Sequence, residues 1–117
     1  MVKKARKTGG DATLDPRLLD RIRALLESRS GVVEKRMFGG VCFMVDGRMC
    51  CGVTKDAFLV RVGKAAFAEA VQQPHARPME MSGRVSNASV FVAPAGYRTE
   101  AALRQWLRRG LAFVDGE

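Results

Sequence analysis

Residues 37 to 54 read Met37-Phe38-Gly39-Gly40-Val41-Cys42-Phe43-Met44-Val45-Asp46-Gly47-Arg48-Met49-Cys50-Cys51-Gly52-Val53-Thr54, two apolar runs about Asp46-Gly47 that hold all three cysteines of the chain. The Asp-Gly pair predicts a two-residue hairpin turn. A type I′ turn requires positive φ at both central residues, and Asp and Gly adopt it at least cost. Counting outward, Val45 opposes Arg48, Met44 opposes Met49, Phe43 opposes Cys50 and Cys42 opposes Cys51. Alternation then gathers Cys42, Met44, Met49 and Cys51 on one face, and Val41, Phe43, Val45 and Cys50 on the other. Both faces are apolar. The hairpin is therefore expected at the centre of a sheet covered twice, by helices over Phe43 and by a further layer, a second subunit, over the sulfur-bearing face.

The rest of the chain falls into place around this hairpin. Residues 1 to 12 are poor in apolar side chains and read as a disordered basic arm, with the folded domain spanning 13 to 117. Asp15-Pro16 supplies a cap and an N1 proline for a helix carrying Leu18, Leu19, Ile22, Leu25 and Leu26, which should end near Gly31. A strand is expected over 32 to 38, a turn or bulge at Gly39-Gly40, and a further strand over 57 to 62. A short helix over 64 to 72 stops at Pro74. The stretch 79 to 84 reads equally as an edge strand or a loop, whereas Ser89-Val90-Phe91-Val92 is a strand closed by Pro94. Thr99 caps a last helix with Leu103, Trp106, Leu107, Gly110 and Val114 on one stripe. The order α-β-β-β-(β)-α-(β)-β-α predicts a two-layer α+β domain, an antiparallel sheet with three helices packed mainly on one face.

Length and composition set the class. A chain of 117 residues with 47% apolar content can bury one core. No apolar run reaches the roughly 20 residues of a membrane span, and no secretory h-region opens the chain, so a cytoplasmic protein without a membrane partner is expected. Three cysteines within one hairpin do not make a disulfide framework and are expected reduced. The net charge is +8, and Lys3, Lys4, Arg6 and Lys7 supply half of it. These four, with Arg104 and Arg108 on the last helix, are the candidate nucleic-acid contacts, acting through phosphates without sequence preference.

Catalytic chemistry finds little support. His75 is the one histidine, in a proline-bounded loop, and no cysteine or serine has an obvious base nearby. Asp46 is accounted for by its turn. Cys42, Met44, Met49 and Cys51 would suit a soft metal ion, but packing under a covering layer explains them as well, and adjacent cysteines facing opposite ways do not suit zinc. The glycines at 39 and 40 precede a strand rather than a helix N-terminus, so turn geometry explains them better than phosphate binding. No cofactor is expected.

Arg36-Met37-Phe38-Gly39-Gly40-Val41, Asp46-Gly47-Arg48-Met49-Cys50-Cys51-Gly52-Val53, Leu59-Val60-Arg61-Val62, Pro74-His75-Ala76-Arg77-Pro78-Met79 and the Trp106 helix together resemble the TfoX N-terminal domain family, over roughly residues 14 to 115. The resemblance implies a secretion-chaperone-like α+β fold and no established catalytic residues. It also implies a link to regulation of transcription in bacterial competence, although the best-known member carries a second, C-terminal domain. On this basis Met37, Phe38, Gly39, Gly40, Asp46 and Gly47 are structural motif residues. The expected function is a non-enzymatic regulatory or protein-interaction module, a homodimer meeting near Met44 and Met49, with a protein partner in transcription regulation. The alternatives are a weak nucleic-acid-binding accessory protein and, behind it, a thiol or soft-metal sensor.

Overall fold

In a computed structural model, residues 14–37, 39–55 and 57–116 are described. The expected basic arm, with Lys3, Lys4, Arg6 and Lys7, lies outside them, as does Phe38. Helix α1 spans Pro16–Leu25, with Pro16 at its first turn and the Asp15 carboxylate accepting from the backbone N–H groups of Arg17 and Leu18 at 3.0 and 3.3 Å. Four strands follow: β1 (Val32–Met37), β2 (Gly40–Val45), β3 (Arg48–Val53) and β4 (Phe58–Arg61). Helix α2 (Lys64–Val71) leads to β5 (Ala76–Met81) and β6 (Arg84–Val92), and α3 (Glu100–Gly116) ends the described chain. The expected α+β order holds, with 79 to 84 resolved as the end of a strand and a tight turn.

All six strands form one antiparallel sheet in the order β1-β2-β3-β4-β6-β5. Leu18, Leu19 and Ile22 of α1, Ala70 of α2, and Leu103, Trp106, Leu107 and Val114 of α3 join Val41, Phe43, Val45, Phe58, Val60, Val90 and Val92 in one core. All three described helices therefore cover the Phe43 face, as the apolar stripes require. Asp46 and Gly47 have φ of 53° and 84°, the positive pair demanded by a two-residue hairpin turn.

Two expectations fail beyond that turn. Met44 opposes Met49, but the next pair is Phe43 with Cys51, followed by Cys42 with Gly52, so a bulge leaves Cys50 as an extra residue. A bulge reverses alternation downstream, so Cys50 and Cys51 both join the helix-side core while Cys42 stays on the opposite face. The supposed four-sulfur face does not exist.

The second correction concerns what fills the helix-free face. Pro78 opposes Val90 but Glu80 opposes Val85, leaving residues 86 to 89 opposite Met79 alone. The Ser86 hydroxyl accepts from the N–H groups of Ala88 and Ser89, both at 3.0 Å, and fixes the excursion. Bent there, the β5–β6 tip turns back over the helix-free face, where Met79 and Met49 pack against Ala57, Leu59 and Phe91. Leu59, Phe91 and Cys42 are consequently buried within one chain. Met44 and Met49 are half-buried.

Candidate functional site

Of the motif residues, Gly40 and Asp46 hold the hairpin to its surroundings. Gly39 takes φ of 73°, open to glycine at little cost, and a methyl group on Gly40 would stand 2.2 Å from the Val53 carbonyl oxygen. Thus the β1–β2 turn presses directly on the end of β3. Asp46 does more than turn the chain. The Arg29 guanidinium, in the connection between α1 and β1, donates to Asp46 at 3.0 Å and to Asp115 of α3 at 2.7 Å, bridging the hairpin turn to the helix end.

Arg48 completes this junction. It donates to the Val114 carbonyl at 3.2 Å, near the negative end of the α3 dipole, and its guanidinium lies 4.5 Å over the centre of the Phe113 ring. One turn back, Gly110 sits on the bulge: a methyl there would lie 2.6 Å from the Cys50 carbonyl oxygen and 2.8 Å from its sulfur. A spacing pattern could not reveal Arg29, Asp115 or Gly110 as partners of the hairpin, because these contacts join residues far apart in the chain.

Two of the thiols are held away from their reactive form. The hydrogen bond that the Cys51 thiol donates to the Cys50 sulfur, complete burial and the neighbouring thiols push the Cys51 thiol well above its usual range. Burial raises Cys42 as well. Thiolate is the reactive form, so both are held in the unreactive one near neutrality. Among the described residues no three His, Cys, Asp or Glu side chains converge as a metal site.

The remaining basic candidates part company. Arg104 is bound by Glu100 at 2.5 Å, one helical turn away, whereas Arg108 is exposed. Arg109, which the sequence reading did not single out as a contact, is held by both oxygens of Glu69 and in turn depresses that carboxyl. His75, with φ of 69°, borders a 300 Å³ cavity with Trp106 and Arg109.

A groove of about 540 Å³ lies beneath the bent hairpin tip. Gly39 of the motif turn, with Thr54 and Lys55 of the β3–β4 turn, forms one wall, and Glu80, Met81 and Ser82 of the tip form the other. Arg77 and Phe91 line it as well, the Arg77 guanidinium stacked 5.1 Å from the centre of the Phe91 ring. Both charge signs and an apolar base are thus present together.

The residues from the end of α1 through α3 match a family model, the TfoX N-terminal domain, over 24–114. The chain belongs to the TfoX N-terminal domain family. The match takes in the motif turn, the Asp46-Gly47 hairpin and the Trp106 helix of this TfoX domain. No curated protein and no solved structure matches the chain. No helix among the described residues is long and apolar enough to cross a membrane.

Proposed function

We propose that this TfoX-type domain is a non-enzymatic regulatory module that works by binding other polypeptides, in transcription or competence control. One observation carries the reading. Gly40 and Asp46 of the motif, with Arg48 and Gly110, are engaged internally by Val53, Arg29, Val114 and Cys50, while the open groove under the β5–β6 tip offers the exposed Lys55, Arg77 and Glu80 to an incoming chain. Mixed charge around an apolar base suits a peptide segment, with the exposed Arg77, stacked on Phe91, as the natural anchor. Self-association belongs to the same proposal, as does a cytoplasmic location.

The test is removal of the gene followed by transcript profiling. Wild-type protein should restore the profile, and an Arg77→Asp, Lys55→Asp variant of unchanged folding should not. Full restoration by that variant contradicts the groove. Generic duplex DNA titrated over a salt series, with the whole chain and with one lacking residues 1 to 10, separates the nucleic-acid alternative. Negligible binding by both is expected. Affinity that falls steeply with salt and with loss of the arm would favour the alternative instead.

A further inference from the structure

The groove beneath the β5–β6 tip holds charge that the fold itself leaves unanswered. Elsewhere guanidinium groups are spent within the chain, those of Arg23, Arg29 and Arg109 on carboxylates and those of Arg21 and Arg48 on backbone carbonyls. Arg77 is exposed and is held by the Phe91 ring, 5.1 Å from its centre, a contact that positions the guanidinium without giving its N–H donors an oxygen acceptor. Lys55 and Glu80, exposed as well, look into the same groove from facing walls. None of these three charged groups has an ion-pair or side-chain hydrogen-bond partner among the described residues.

We infer that the groove takes an acidic segment of another polypeptide, with one Asp or Glu carboxylate on Arg77 and a second on Lys55. The inference rests on the groove reading proposed above and gives its partner a charge. Two cations against one carboxylate set the sign of the occupant. A guanidinium already fixed on a ring and lacking an acceptor is matched by the two oxygens of a carboxylate, which it can grip with parallel N–H donors. Lys55 adds a point charge that needs no such alignment. Glu80 on the facing wall narrows the choice further. It repels a uniformly anionic strand such as nucleic acid, and it admits a peptide, whose negative charge can be confined to one edge while its backbone or a basic side chain faces Glu80. Met81 beside Glu80 gives the same segment an apolar contact.

An array of short peptides of random composition, acetylated and amidated so that only side chains carry charge, tests this when probed with the full chain. The peptides bound most strongly should be enriched in Asp and Glu, and the Lys55→Asp, Arg77→Asp variant should lose them and select Lys and Arg instead. All three side chains are exposed, so the variants should keep the thermal midpoint of wild type. For one selected acidic peptide, Arg77→Gln should weaken binding about tenfold or more. Arg77→Lys should weaken it severalfold, since lysine keeps the charge but neither the ring stacking nor the paired donors. Glu80→Gln should tighten it severalfold. Acidic peptides that bind Arg77→Gln as tightly as wild type overturn the inference. Peptides without acidic enrichment that are nonetheless lost by the double variant overturn the acidic partner and leave the groove reading standing. Peptides bound alike by wild type and the double variant, or no binding at all, overturn the groove reading and this inference with it.

Discussion

Two hairpins in this protein have the same turn and opposite fates. Asp46-Gly47 joins β2 to β3 with φ of 53° and 84°, and Ser82-Gly83 joins β5 to β6 with φ of 53° and 78°. The first lies at the heart of the sheet, its flanking Val45, Phe43, Cys50 and Cys51 all buried. The second overhangs the helix-free face, with Gly83, Arg84 and Val85 exposed. Turn dihedrals are therefore set locally, but what a hairpin becomes depends on the apolar area its arms can bury.

The largest test of that contrast is truncation. Phe43→Ala should cost about 3–5 kcal/mol in chemical denaturation, since its ring is almost fully buried beneath the helices. Val85→Ala should fall within about 0.5 kcal/mol of wild type. Equal losses at the two sites would erase the distinction.

Next in size is the docking of α3 on the Cys50 bulge. Gly110→Ala places a methyl against a backbone carbonyl that cannot step aside, and should cost about 1–3 kcal/mol even though alanine favours the helix. A stabilised variant would show that helix and bulge are not in contact.

A finer comparison is offered by the turn glycines, both in left-handed backbone with open space around them. Gly47→Ala should cost about 1–2 kcal/mol, because the strained turn lies inside the global folding unit. Gly83→Ala should cost less, since the loss is capped by the free energy of opening the tip alone. A greater loss at Gly83 would reverse the assignment.

The smallest effect concerns pH. Hydrogen bonds from Arg29 hold Asp115 below its usual carboxylate range. A carboxyl lowered on folding stabilises the protein above its ordinary pKa, near 4, and that contribution disappears as pH falls through the folded value. Wild type should thus lose slightly more thermal stability than Arg29→Ala between pH 5 and strong acid. Identical acid slopes would leave the Arg29 bridge without energetic weight.

Much of the central hairpin was legible because Asp46-Gly47 fixes a turn and alternating apolar residues fix strands. The cap at Asp15 and the Leu103-to-Val114 stripe were legible for the same local reasons. The bulge at Cys50 was not, since two consecutive cysteines fit either face equally and only contact with Gly110 decides between them. Likewise, the Ser86 excursion rests on a hydroxyl bonding to backbone two and three residues on, a choice that Ser89-Val90-Phe91-Val92 alone does not reveal. The groove arises from that bend, so its walls, Thr54 and Lys55 against Glu80 to Ser82, come together only in three dimensions.

On the proposed reading, the β2–β3 hairpin with α3 is the rigid scaffold and the β5–β6 tip is the adjustable wall of the groove. Native-state hydrogen exchange read residue by residue tests this most directly. Hydrogen-bonded amides of 41 to 45 and 49 to 53 should exchange only through global unfolding, while those of 80 to 85 should exchange through local opening at lower free energy and independently of denaturant. Exchange at the tip as slow as in the central hairpin, with the same denaturant dependence, would contradict it.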